Sequence, residues 1–290
     1  MNCKKLVLGT AQLGEDYGIA YRSRKILPKD FQLIMNLAQD AGVYSIDTAM
    51  AYGDSQKVLG MLGVNDWSIT TKLPSIPENI KSIDEWYFNA IISSLEELKV
   101  KKIDTLLIHN VKELSARYGN KLVSLLQNSK NEGYVKNIGV SIYSPKELDD
   151  FYNDFQPDIV QCPYNIFDQR IHSSGWLQKL TTDNVEVHAR SIFLQGVILR
   201  DVSELNSYFN PWLVDFKKWE EYCKNHNISK LQASIDFVKA EDRIKKIIIG
   251  IENINQLEQI LNAYLSNTQE IFNSPCEDKD LLNPLMWKII

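Results

Sequence analysis

Residues 105–141 read TLLIHNVKELSARYGNKLVSLLQNSKNEGYVKNIGVS. The opening apolar run is short, ends on His109, and reads as a buried strand. Leu122, Leu125 and Leu126 then recur at helical spacing, and Gly133 stands where a helix end wants a left-handed residue. Asn137–Ser141 is a second strand. Working outward, the same strand-then-helix alternation runs the length of the chain. Its other strands are expected at Lys5–Thr10, Tyr44–Thr48, Ser68–Lys72, Ile159–Pro163, Val185–Ser191 and Lys246–Gly250, eight in all. Amphipathic stretches fill the gaps, as in Phe31, Ile34, Leu37, Ala38 and Ala41 before Gly42, in Ile91, Leu95 and Leu98, and in Leu257, Ile260, Leu261 and Tyr264. Ser144-Pro145-Lys146-Glu147 places a cap candidate before a proline at the first helical position.

Eight strand–helix units in 290 residues predict an α/β chain folded as a (β/α)8 TIM barrel. A doubly wound sheet would want a glycine-rich phosphate turn after its first strand, and LVLGTAQLGEDYG supplies no G-x-G-x-x-G. No Gly/Ser-rich linker interrupts the pattern, so residues 1–290 read as one domain with a C-terminal extension after about residue 267. Arg200 to Ser229 is too long for a simple loop and rich in aromatic residues. It is expected to hold a long loop and an extra helix.

Composition excludes several classes. The charge is −5, and the charged residues (24%) are mixed rather than blocked, which leaves no footprint for nucleic acid. Cys3, Cys162, Cys223 and Cys276 form no C-x-x-C pair, and the four histidines lie far apart, so no metal site is expected. Dispersed cysteines suggest reduced thiols. No run approaches the ~20 apolar residues of a membrane span, and the N-terminal run Leu6–Leu8 is too short for a signal core. A soluble cytoplasmic protein is the expectation.

Barrel enzymes carry their chemistry at the carboxyl ends of the strands. Those ends here present Asp47 with Tyr52 just after it, Lys72, His109, Ser141, Gln161, and Arg190 with Ser191. Asp47, Tyr52, Lys72 and His109 make sense together. A carbonyl that accepts hydride develops negative charge on oxygen and needs a proton. A free phenol is a weak acid (pKa ~10), but a neighbouring ammonium stabilises its phenolate, and a carboxylate can hold that ammonium charged and in place. An imidazole can donate to the carbonyl oxygen. No side chain donates hydride, so a nicotinamide cofactor is required.

The motifs DTAMAYGDSQKVLG (Asp47–Gly60), ITTKL (Ile69–Leu73), IDTLLIHN (Ile103–Asn110), VKNIGVS (Val135–Ser141), DIVQCPYN (Asp158–Asn165), RSIFLQG (Arg190–Gly196) and IIIGIENINQLEQI (Ile247–Ile260) occur in that order. This succession resembles the aldo-keto reductase family from roughly Leu6 to Leu265. The resemblance implies a catalytic tetrad of Asp47, Tyr52, Lys72 and His109, with Tyr52 the proton donor. It implies that Ser141 and Gln161 hydrogen-bond the nicotinamide carboxamide. Ser191, Phe193, Leu194, Gln195 and Gly196 would run along the pyrophosphate, and Gly250, Glu252, Asn253 and Gln256 would line the adenosine end. The cofactor implied is NADP(H), with NAD(H) the alternative, and the partner is a small-molecule carbonyl substrate. The oligomeric state is left open.

Departures from the family pattern stand at Ile142, where many relatives have asparagine, and at Ile260, where many place an adenine-contacting asparagine. At Arg190 many relatives have an aromatic residue that stacks on nicotinamide. The loop from Gly250 to Gln259 carries no Arg or Lys for a 2′-phosphate, so Lys245 or Lys246 is expected to substitute if one is bound. Arg190, with its planar donor fork, is expected to contact an anionic substrate. GTAQLGEDYGIA and ARSIFLQG look most like a bacterial branch associated with surface-polysaccharide and nonulosonic-acid gene clusters, which points to a sugar-derived carbonyl. Two other readings keep the fold. One is a cofactor-binding regulatory or redox-sensing protein with little turnover. The other is a barrel enzyme using Lys72 as a Schiff-base nucleophile.

Overall fold

The computed structural model describes residues 3–14, 25–266 and 271–289. Eight parallel strands close into a barrel in sequence order, β1 pairing with β8. They are β1 (Leu6–Gly9), β2 (Ser45–Asp47), β3 (Ser68–Leu73), β4 (Ile103–Ile108), β5 (Val135–Ser141), β6 (Ile159–Pro163), β7 (Glu186–Arg190) and β8 (Ile244–Ile249). The expected (β/α)8 TIM barrel is the observed fold. Each strand is short and largely buried on both faces, the pattern of a sheet covered by helices outside and filled by side chains within.

The helices form where apolar spacing asked for them. Pro28–Asp40 buries Phe31, Ile34, Met35 and Ala38, with Pro28 at its first turn, where the missing N–H costs nothing. Ile83–Leu98 is capped by Ser82, whose hydroxyl accepts from the Glu85 N–H at 3.3 Å. Ile254–Leu265 buries Leu257, Ile260, Leu261 and Tyr264. The helix expected after Pro145 is only one turn, Lys146–Asp149, before the chain bends to bury Phe151, Tyr152 and Phe155.

β8 begins two residues earlier than expected. Ile244 pairs with Val187 and Lys246 with His188, so Lys245 is an extra residue at an irregularity in the ladder. Two adjacent lysines broke the apolar run in the sequence. The same register overturns a role for either lysine near a cofactor phosphate. The Lys246 ammonium donates to the Lys4 carbonyl (2.8 Å) and the Ser45 hydroxyl (3.1 Å), and Lys245 donates to the Asp242 carbonyl (3.2 Å). Both lie at the entry ends of the strands, opposite the mouth where the carboxyl ends converge.

The segment from Arg200 to Ser229 holds short 3-10 turns and one helix, Leu213–Asn225. Phe209, Phe216 and Trp219 are buried, and the Trp219 indole donates to the Ile198 carbonyl at 2.9 Å. The helix Lys230–Lys239 then leads into β8. Leu281, Leu282 and Trp287 of the tail are buried, Trp287 edge-on to Phe209. Among the described residues no helix is long and apolar enough to cross a membrane.

Candidate active site

The carboxyl ends of the strands surround a cavity of about 980 Å³, at the upper end for a small-molecule site. The turn after β2 carries Tyr52 and is tied down on three sides. The Tyr52 N–H donates to the Ala49 carbonyl, Ser55 N–H to the Tyr52 carbonyl, and Met50 N–H to the Lys72 carbonyl of β3, at 2.9–3.1 Å. Beneath it, Ser55, Thr48 and Thr10 share buried hydroxyl bonds of 2.9–3.1 Å. A β-carbon on Gly14 would overlap the Tyr52 carbonyl, so only glycine permits this approach.

Lys72 points from β3 into the barrel and is 1% exposed. Its ammonium lies 2.5 Å from Asp47 Oδ1 and 2.8 Å from the Thr48 carbonyl. The other Asp47 oxygen accepts from the Gln161 amide at 2.6 Å, and Gln161 Oε1 accepts from the Ser141 hydroxyl at 3.2 Å. Four strands thus converge on one chain of polar bonds running Lys72, Asp47, Gln161, Ser141. An isolated ammonium at this depth would be severely penalised, and the carboxylate together with the carbonyl holds it charged.

The Lys72 nitrogen stands 5.0 Å from the Tyr52 ring centroid, and the Tyr52 and His109 rings meet edge to face at 5.9 Å. Burial is the main cause that pushes the His109 imidazole down to about 4; the Lys72 and Arg190 charges add to this and Asp47 opposes it. At physiological pH the imidazole is therefore neutral, a hydrogen-bond partner with no charge.

Arg190, at the end of β7, donates to the Ser191 hydroxyl (3.0 Å) and the Ile142 carbonyl (2.9 Å), and its guanidinium lies 4.5 Å over the Tyr143 ring. The chain then bends sharply. Ser191, Leu194, Gln195 and Gly196 all take left-handed φ values, 46° to 84°, and Asn165 secures the turn by donating to the Ser191 carbonyl at 3.0 Å. Within it the Leu194 N–H donates to the Ser191 carbonyl (2.9 Å) and the Gly196 N–H to the Phe193 carbonyl (2.8 Å), so the turn is held by its own main chain.

At the β8 end, Asn253 accepts from the Gln256 N–H (3.0 Å) while the Gln256 side chain accepts from the Glu252 N–H (2.9 Å), a reciprocal cap on the helix Ile254–Leu265. Of the residues assigned from the sequence to the tetrad, the cofactor and the substrate, all but Leu194 and Asn253 line the cavity. Leu194 is buried in the core and Asn253 is exposed at the helix cap. The cavity wall also includes residues that sequence reasoning missed, among them Gln12, Tyr143, Asp201, Glu220, Lys224 and Lys230. Lys230 binds Asp201 (2.9 Å) and Glu220 (3.2 Å), and Lys224 pairs with Glu220 (3.4 Å). For Asp201, Glu220 and Lys224 the only signal was the length of the segment from Arg200 to Ser229. No group of His, Cys, Asp and Glu among the described residues is arranged to hold a metal ion.

Residues 5–274 match the Aldo/keto reductase family. The chain belongs to that family. Among solved structures it is similar to aldo-keto reductase AKR11C1 from Bacillus halodurans in its holo form, at 17% identity and a TM-score of 0.73, covering 92% of this chain and 88% of that one. It is also similar to the glycerol dehydrogenase AKR11B4 from Gluconobacter oxydans, at 20% identity and 0.70, covering 91% and 88%. At these identities the likeness is one of fold. No curated protein gives a significant match.

Proposed function

We propose that this protein reduces a small aldehyde or ketone to an alcohol, using a nicotinamide dinucleotide and Tyr52 as proton donor. The observation that carries the reading is the buried Lys72–Asp47 pair, closed at 2.5 Å, with its ammonium 5.0 Å from the Tyr52 ring. A lysine held charged in this way is a poor Schiff-base nucleophile but well suited to stabilise the phenolate left after proton donation. Neutral His109, edge to face with the Tyr52 ring, orients the carbonyl oxygen by hydrogen bonding. The cofactor, when bound, supplies the hydride.

The residues present suit such a dinucleotide. Ser141 and Gln161 offer hydroxyl and amide groups for a carboxamide, and each retains hydrogen-bonding capacity beyond the bonds already made. The turn Ser191–Gly196, which sets Ser191, Phe193, Gln195 and Gly196 on the wall, would run along the pyrophosphate. Gly250, Glu252 and Gln256 take the adenosine end. NADP(H) is the family default. Lys224 and Lys230 are committed to Glu220 and Asp201, and Glu252 adds a further carboxylate, so discrimination for a 2′-phosphate should be weak. We read the substrate as sugar-derived and anionic, met by the unused donors of Arg190.

The test is reduced-cofactor consumption with a panel of neutral and acidic sugar carbonyls, alongside titration of NADPH and NADH. Tyr52→Phe should lose at least ~100-fold in kcat while cofactor affinity is kept. NADPH should bind less than ~100-fold tighter than NADH, a gap under about 2.7 kcal/mol. Near-normal turnover in Tyr52→Phe would overturn the donor assignment. Cofactor binding without turnover of any carbonyl would favour a regulatory or redox-sensing protein instead.

A further inference from the structure

The charges on the inner half of the cavity wall do not cancel. Lys72 and Asp47 neutralise each other, and His109 is uncharged above about pH 4. Arg190 is left over. Its partners, the Ser191 hydroxyl, the Ile142 carbonyl and the Tyr143 ring, are all neutral, and among the described residues no carboxylate pairs with it. A half-buried guanidinium with only neutral partners projects its charge into the cavity rather than into an ion pair.

Its bonds also say where that charge stands. Ile142 directly follows Ser141 at the end of β5, and Arg190 is in register with Pro163, two residues beyond Gln161 on β6. The guanidinium therefore bridges the ends of β5 and β7 across the end of β6. It lies beside the two residues, Ser141 and Gln161, that we assign to a nicotinamide carboxamide. A reduced nicotinamide ring is neutral, and an oxidised one carries a positive charge. An aromatic side chain at this place would favour the cationic ring, through its negative π-face. A fixed cation favours the neutral one.

We propose that Arg190 makes the site favour the reduced nicotinamide cofactor over the oxidised one, so that its charge loosens the hold on the ring once hydride has left. The inference rests on the nicotinamide-dependent reading above and adds a redox preference to it. Each tenfold of preference for the reduced form raises the potential of the bound couple by about 30 mV, which makes the bound oxidised cofactor the stronger oxidant and speeds its release. An anionic group bound against Arg190 would cancel the charge and restore affinity for the oxidised form. Oxidised cofactor and anionic substrate would then help each other bind.

The experiment is calorimetric titration of wild-type protein, Arg190→Gln and Arg190→Lys with NADPH, NADP+, NADH and NAD+ at low ionic strength, without substrate. Wild type should bind each reduced form at least ~10-fold tighter than its oxidised partner, about 1.4 kcal/mol. Arg190→Gln should shrink that ratio about tenfold, chiefly by tightening the oxidised form, and Arg190→Lys should keep most of it. Added salt should narrow the wild-type gap, because the effect is one of charge. If Arg190→Gln does not fold, the lysine variant and the salt dependence still decide. A ratio unchanged in Arg190→Gln, lost equally in Arg190→Lys, or insensitive to salt would overturn the proposal. Failure of wild type to bind any of the four would instead overturn the nicotinamide-dependent reading beneath it.

Discussion

Lys72 and Asp47 are each tolerable in the barrel only because of the other. Removing one leaves a buried charge unpaired, which typically costs about 3–5 kcal/mol, whereas removing both leaves none. Lys72→Met and Asp47→Asn should therefore each lower Tm clearly, and the double variant should be at least as stable as the worse single. Turnover should fall as steeply in Lys72→Met as in Tyr52→Phe, less in Asp47→Asn, and no further in the double variant. Additive losses in both stability and kcat would show two independent residues. His109 makes a second residue-scale prediction. Its imidazole is held at about 4, against ~6.5 in an unfolded chain. Between those values the unfolded chain takes up a proton that the folded chain refuses. The contribution of His109 to stability is thus complete above pH ~6.5 and is lost as pH falls toward 4, by about 3 kcal/mol. Urea unfolding from pH 7 to pH 4 should show a shallower fall in His109→Gln than in wild type, and parallel curves would mean that the imidazole is not depressed. Asp47, Lys72 and His109 were legible in the sequence because each stands at the carboxyl end of a short strand. The 2.6 Å bond from Gln161 to Asp47 was not, since it joins side chains 114 positions apart.

The element that matters most for the chemistry is the turn between β2 and the helix Ser55–Leu62, which carries Tyr52. Its height above Lys72 depends on Gly14, where any β-carbon would collide with the Tyr52 carbonyl. Gly14→Ala should therefore displace Tyr52 and lower kcat about tenfold or more, since misplacements near 1 Å cost up to ~100-fold. Circular dichroism should show the fold retained; unchanged kcat in a folded variant would mean the turn does not depend on Gly14. At this scale the strands were readable because barrel strands are short, continuous apolar runs between helices of longer period. The start of β8 was not, because the irregularity at Lys245 puts two charges where a strand should be apolar. The inner face of the helix Leu213–Asn225 was equally hidden. Its sequence announces a helix, but whether Glu220 and Lys224 face the cavity depends on how that helix docks.

At the scale of the molecule, the tail closes onto the aromatic segment after β7. Trp287 meets Phe209 edge to face at 5.1 Å and donates to the Leu281 carbonyl at 3.0 Å, while the Trp212 indole donates to Asp278 at 3.1 Å. The Cys276 N–H donates to the Phe167 carbonyl at 2.8 Å, which ties the tail to the loop after β6. Trp287→Ala should remove most of this anchorage and about 3 kcal/mol of stability, as large-to-small changes at buried aromatics do. A Tm within about 1 °C of wild type would show the tail to be a passenger. Kinetics should change little, because Trp287 does not line the cavity.

The sequence alone determined the barrel, its strand order and the residues gathered at its mouth. Hydrophobic period is a local property, and a succession of eight strand–helix units leaves few ways to bury every apolar face. It also determined the chemistry on offer, because an acid, a phenol, an ammonium and an imidazole at successive strand ends can serve few reactions. Only the tertiary structure decided how those groups are connected. The bonds from Gln161 to Asp47, from Arg190 to the Ile142 carbonyl, from Lys246 to the Lys4 carbonyl and from Lys230 to Asp201 each join residues distant in the chain. Distances of this kind are set by barrel closure and by how the helices dock, and no local pattern of residues encodes them.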